Sequence, residues 1–351
     1  MKLLILTQKV DRTDSVLGFF HTWLVEFSKR AELVTVIALE VGEYQLPQNV
    51  TVTSLGKELG VSKVVYLWRL FSTVIGQQKK YDAVFVHMNP IYVVLCGWFW
   101  KLTGKKIALW YTHRQVDLKL RIAEKFTGVI FTASKESFQL TSSKVQVVGH
   151  GIDIAAYDCP TYVSHTGPLT LVSVGRITPI KRCEVAIEAL GQLNKLWDRQ
   201  CTLRFIGGPA TLTDQAYFET LKKKVADAGL SDRVMFMGSV PYTEIRKEYC
   251  LADATFNLTP TGGVDKAVLE SMASGRIVFS SNQTFADYFK PYAPMLLVKD
   301  NDPLALAQAI REVFALHKET EITSVLRSTA TARAGVGQLV DTIYSVLHSG
   351  I

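Results

Sequence analysis

Short apolar runs rich in β-branched residues alternate with helical patterns along the whole chain, and few folds accept that alternation. Strands are expected at 2–7, 33–38, 51–54, 83–87, 106–111, 128–132 and 145–148, with helices over 17–30, 62–78, 90–103, 117–125 and 135–140. Strand, helix, strand in succession builds a parallel sheet with crossover helices, so the class is α/β. The pattern restarts after a loop at 154–168 that contains Asp158-Cys159-Pro160 and Thr166-Gly167-Pro168. Further strands are expected at 169–174, 202–206, 233–237, 254–258, 277–280 and 295–298, each beside a helix of about ten residues. A chain of 351 residues is about twice what one core organises, which fits two Rossmann-like domains in tandem. The divisions are 1–155, 156–333 and a helix within 334–351 that would fold back on the first domain. Sheets of this kind bind ligands beyond the carboxyl ends of their strands, and a cleft between the two domains is the expected site.

Composition removes several classes. The longest apolar run, Ile91 to Trp100, is well short of the roughly 20 residues that span a bilayer. The opening Met1 to Leu6 gives way to Thr7-Gln8-Lys9 and reads as a first buried strand rather than a signal peptide. Five cysteines without a Cys-x-x-Cys pair argue against a disulfide framework or a structural zinc, and a reducing cytoplasm is the expected compartment. The net charge is +7, and residues 1–165 carry 19 Lys and Arg against 13 Asp and Glu. A basic first half suits an anionic partner, a membrane's inner face included. Nucleic acid finds no recognised module among these dispersed cations.

Two segments carry chemistry. In Leu171 to Lys181 a buried strand ends at Gly175, and Arg176 and Lys181 follow across a short loop that opens a helix. At the mouth of a parallel sheet their charges can converge on a diphosphate; the plainer reading is a loop with solvated cations. In Thr259 to Gly275 a strand runs into Gly262 and Gly263, then through Val264, Asp265 and Lys266 into a helix bearing Glu270. Missing side chains let a ligand approach the backbone, and free helix N–H groups attract anions. Glu270 sits among Val268, Leu269, Met272 and Ala273, so its carboxylate is either paired with a cation or open to ligand hydroxyls such as a ribose's.

With Gly207-Gly208 between them, these segments resemble the donor domain of retaining glycosyltransferases of the GT-B fold, the family 4 group. The resemblance covers the second half in order and spacing and the first more weakly. It implies that Gly175, Arg176 and Lys181 bind the donor diphosphate, with Gly207 beside them, and that Glu270 is the second glutamate of a Glu-x7-Glu motif holding donor sugar and ribose. The first glutamate of that motif is here Gly262, leaving Asp265 or Lys266 to do its work. His150-Gly151-Ile152-Asp153 resembles the family's Asn-Gly-Val-Asp turn, with His150 replacing the asparagine. On the acceptor side the family lines its cleft with the loop Lys9 to Leu17 and with Gly18 and Phe19. His113 stands where the family often has a histidine near the donor sugar, and Arg114 follows it.

The implied activity is metal-independent transfer of a hexose or deoxyhexose from a nucleotide-sugar, with retention, to an envelope glycan or lipid-linked acceptor. No cofactor is implied beyond that donor. A non-catalytic sugar-nucleotide-binding protein or partner subunit is the other reading, and a dehydrogenase lacks its Gly-x-Gly-x-x-Gly after a strand. Asp300-Asn301-Asp302 has metal-site spacing, but Pro303 after it marks Asp302 as a helix N-cap. Val61 to Lys80 mixes lysines with Trp68 and aliphatics; it would suit an anionic membrane, although packing against its own sheet is preferred.

Overall fold

A computed structural model describes residues 1–349. The chain forms two compact units, Met1–Asp153 with the segment from Gly335 on, and Ile154–Ala334. In the first, seven parallel strands run β1 (Lys2–Val10), β2 (Leu33–Val41), β3 (Val50–Ser54), β4 (Ala83–His87), β5 (Lys106–Trp110), β6 (Val129–Thr132) and β7 (Val145–Val147), in spatial order β3-β2-β1-β4-β5-β6-β7. Its helices are α1 (Phe19–Ser28), α2 (Lys63–Gly76), α3 (Ile91–Leu102) and α4 (Leu118–Phe126).

The second unit has a five-stranded parallel sheet of β8 (Leu169–Val174), β9 (Cys201–Ile206), β10 (Val234–Gly238), β11 (Ala254–Asn257) and β12 (Ile277–Ser280), ordered β10-β9-β8-β11-β12. Around it lie α5 (Cys183–Leu196), α6 (Leu212–Asp227), α7 (Ile245–Leu251), α8 (Lys266–Ala273), α9 (Ala293–Leu296), α10 (Pro303–Ala315) and α11 (Glu319–Arg333). A last helix, α12 (Val336–Ser349), belongs to the first unit. There Val336 donates its N–H to the Ile152 carbonyl at 2.9 Å, and Leu339, Val340, Ile343 and Leu347 join the core formed with α1.

In each sheet the strand order reverses once, between β1 and β4 and between β8 and β11. Chains leaving the two strands at such a point diverge, which opens a crevice beyond their carboxyl ends. Helices α1 and α12 cover one face of the first sheet, while α2, α3 and α4 pack over the other.

Four expectations need correction. Strand β1 continues to Val10, past the expected loop start at Lys9, because Lys9 is in register with Glu40 on β2 and pairs with its carboxylate at 2.9 Å. Residues 135–140 form a single turn, Lys135–Ser137, capped by Ser134. At 295–298 the chain forms α9 and one bridge from Leu297 to Ser280, since Pro294 opens a helical turn there. Cysteines Cys159 and Cys250 form a disulfide, their Cα atoms 5.3 Å apart across a separation of 91 residues. That pairing joins the segment entering the second unit to α7, and the premise for a reducing compartment falls with it. Among the described residues no helix is long and apolar enough to cross a membrane.

Candidate functional site

The second unit's crevice is built by backbone approach. Gly175, just after β8, has φ 139°, and Gly207, just after β9, has φ 133°. A Cβ on Gly207 would lie 2.0 Å from the Gly175 carbonyl oxygen. Only glycine fits such a contact, because the obstacle is main chain and cannot swing away. Ile177 N–H then donates to the Gly208 carbonyl at 3.1 Å and fixes the path of the loop carrying Arg176.

From that loop the Lys181 ammonium reaches the Asp265 carboxylate after β11. Asp265 also accepts from Asn257 Nδ2 at 2.7 Å and caps α8 by accepting from the Ala267 amide at 3.3 Å. Burial works against its ionised form, but the Lys181 ammonium, Asn257 and the amide outweigh it and hold the carboxyl below the usual range. The helix N-terminus expected to receive a ligand's anion is therefore already met by the chain's own carboxylate. Arg176 is exposed, and no described residue pairs with its guanidinium.

The Gly262-Gly263 turn is held from β12. Asn282 accepts from the Gly262 amide at 3.3 Å and donates to the Gly263 carbonyl at 2.9 Å, while Thr284 donates to the Gly262 carbonyl at 2.6 Å. Asn282 is buried, and sequence reading missed it, as it missed Asn257. Both follow or end an apolar strand, and an amide side chain in that place was the available signal. Val264 is buried in the same turn.

Glu270 points inward, 3 % exposed. Its Oε2 accepts from the Tyr249 hydroxyl at 2.8 Å, and its Oε1 lies 3.0 Å from the Lys266 ammonium, which also stands over the Tyr242 ring. Of the alternatives left open for this carboxylate, the structure shows the cation-paired one. Asp302 caps α10 through the Ala305 amide at 3.0 Å, and Asp300 pairs with Arg182.

In the first unit the reversal between β1 and β4 carries a cluster of rings. His87 ends β4, is 1 % exposed, and stacks on Phe20 with centroids 4.0 Å apart. Its Nδ1 lies 3.2 Å from the Thr7 hydroxyl of β1. Burial above all, and His150 nearby, push its imidazole down to about 3, so it stays neutral. Phe19 stands edge-on to both His87 and His150, at 6.0 and 6.1 Å, and His150 also faces Trp110 at 6.1 Å. Gly18 is the N-cap of α1, directly before Phe19. The structure thus gathers Phe19 and His150 around His87, a residue that sequence reading left inside a strand. His113 and Arg114 are exposed in the loop after β5, and the described ring contact of His113 is with Tyr111 at 6.3 Å.

Residues 161–324 match the sequence family described as glycosyl transferases group 1. A putative colanic acid biosynthesis glycosyltransferase, WcaL of Salmonella typhimurium, is 27 % identical over 225 residues, 61 % of this chain and 52 % of that protein. A GDP-mannose-dependent phosphatidylinositol monomannoside mannosyltransferase of Mycobacterium tuberculosis is 30 % identical over 120 residues, 32 % of this chain and 29 % of that protein. The chain thus spans about half the length of these curated relatives, or less. Among solved structures, Anabaena Alr3699/HepE in complex with UDP superposes with a TM-score of 0.76 over 100 % of both chains at 17 % identity. Sucrose-phosphate synthase from Thermosynechococcus elongatus does so at 0.73 over 99 % of both, at 14 % identity. The likeness shows the GT-B fold, and the family match with the relatives supports a group 1 glycosyltransferase.

Proposed function

We propose that this chain is a group 1 glycosyltransferase that moves a hexose or deoxyhexose from a nucleotide-sugar to a glycan or lipid-linked acceptor, with retention of configuration and without a resident metal or cofactor. The observation that carries this reading is the meeting of Lys181 with Asp265 at the β8/β11 reversal, beside the exposed Arg176. Two cations and a glycine-tight backbone at a sheet's switch point suit a diphosphate. The UDP held by the Anabaena neighbour and the GDP-mannose named for the mycobacterial relative support a nucleotide-sugar as donor.

The chemical problem is departure of a nucleoside diphosphate from the anomeric carbon. As that bond breaks, negative charge gathers on the leaving phosphate while the sugar becomes oxocarbenium-like. Arg176 and Lys181 would neutralise the phosphate, and losing one such group costs about 3 kcal/mol of transition-state stabilisation. The acceptor hydroxyl would attack the same face and pass its proton to the departing phosphate, so no protein nucleophile is needed. Asp265 keeps the Lys181 ammonium aimed into the crevice until donor phosphate competes for it. Gly175, Gly207, Gly262, Gly263 and Val264 shape the donor's backbone contacts, and Lys266, held by the buried Glu270, would meet the ribose. In the first unit His113, Arg114, His150, Gly18 and Phe19 are the proposed groups for transferred sugar and acceptor.

Arg176→Ala and Lys181→Ala should each lower turnover of a nucleotide-sugar about a hundredfold, with the folded fraction of Arg176→Ala unchanged. Parent-like turnover in both would refute the clamp. Gly262 in the place of a glutamate favours a second reading, a sugar-nucleotide-binding protein without transfer. Tight nucleotide binding with neither hydrolysis nor transfer would select it.

A further inference from the structure

We infer that the first unit docks on an anionic lipid surface through the outward face of α2 and the adjoining end of α3, an interaction independent of the donor site. Packing of α2 against its own sheet, preferred from the sequence, accounts for only part of the helix. Of its 14 residues Leu70 and Val74 are buried, while Val64, Leu67, Trp68 and Ile75 are exposed, Trp68 by 68 %. Val64, Trp68 and Ile75, at spacings of four and seven, lie along one stripe about a third of a turn round the helix from Leu70 and Val74, with Leu67 at the border between the two. A globular helix normally presents charge there. Helix α3, on the same face of the sheet, adds Trp98, 50 % exposed, and Leu102, 78 % exposed.

Charge identifies the occupant. From Leu59 to Val116, a stretch holding α2 and α3, there are eight Lys and Arg against one acidic residue, Asp82. Its formal charge of +7 equals that of the entire chain, so the remainder is neutral on balance. Lys63 at the start of α2, Lys79 and Lys80 just after its end, and Lys101 at the end of α3 are exposed. A second copy of this chain would bring the same cations together and repel. Neutral apolar partners would leave them unanswered. An anionic bilayer answers both properties, since tryptophans settle at the headgroup level, aliphatics enter the acyl boundary, and each lysine near the surface strengthens partitioning about fivefold.

The test is co-sedimentation of the full chain with phosphatidylcholine vesicles, with and without roughly a third phosphatidylglycerol. The parent should pellet only with the anionic vesicles and be released by high salt. Lys79→Gln with Lys80→Gln should bind about 25-fold more weakly and Trp68→Ser at least about tenfold more weakly, with nucleoside diphosphate binding unchanged in both. Brominated lipid should quench the parent's exposed tryptophans and leave the signal of the buried Trp23, Trp100 and Trp110, a readout that needs no variant. Equal pelleting with neutral and anionic vesicles, parent-like binding by both variants, or absence of quenching overturns the inference. So does a chain that ignores vesicles but dimerises in solution and is made monomeric by Trp68→Ser.

Discussion

Lys181 and Asp265 stand 84 positions apart and meet because β8 and β11 are neighbours in the sheet. The sequence showed each as a separate anion-binding feature, Gly175 to Lys181 as a clamp and Asp265 in a helix-opening turn, but not that one answers the other. Gly207 gives the sharpest single-residue prediction. Because a Cβ there meets the Gly175 carbonyl, Gly207→Ala should destabilise the second unit by at least about 2 kcal/mol and weaken nucleotide binding, measured by denaturant unfolding and by titration. His87 gives a pH dependence. Its folded pKa lies below the ordinary value, so the native state binds fewer protons there than the unfolded chain. Its contribution is complete above about pH 6.5 and is lost as pH falls from there towards 3, about 1.4 kcal/mol by pH 5.5. His87→Phe should flatten the stability profile of the first unit between those limits; an unchanged slope would contradict the assignment. His87 was illegible as a site because an apolar run around a histidine reads equally as strand, and only the β1/β4 reversal sets it among the rings of Phe19, Phe20 and His150.

At the scale of elements, periodicity located most strands and helices, because parallel strands buried on both faces are written as short continuous apolar runs. It failed where local chemistry decided. Leu297 belongs to an apolar stretch that reads as strand, yet Pro294 turns the preceding residues into α9 and one bridge is all that pairs. Helix α2 was assigned to the core by the same logic, and its second apolar stripe shows that a periodic pattern does not say how many faces it feeds. The Cys159–Cys250 link was hidden because pairing depends on α7 lying against the segment after Ile154, which spacing cannot show. Closing a loop of that length constrains the unfolded chain, and Cys159→Ser with Cys250→Ser should cost about 4–5 kcal/mol in the second unit under oxidising conditions. The same substitutions should make its unfolding insensitive to dithiothreitol. A parent already insensitive to reductant would contradict the bridge.

For the whole molecule, two Rossmann-like domains were legible from repetition, two runs of alternating strands and helices with a loop between them, while the GT-B expectation came from the resemblance of the segments at Gly175 to Lys181 and Thr259 to Gly275. What activated sugar enters, and which acceptor receives it, depends on side chains that the comparisons match only over part of their relatives' lengths. Donor use requires that the second unit hold a nucleoside diphosphate, and thermal unfolding with a panel of nucleoside diphosphates measures that capacity most directly. A diphosphate supplied at about 100 times its dissociation constant adds about 2.7 kcal/mol to the state that binds it. The midpoint should rise for one base in the parent and for none in Arg176→Ala, whose unliganded midpoint stays at the parent value; an equal rise in both, or no rise with any base, would refute a diphosphate site at Arg176.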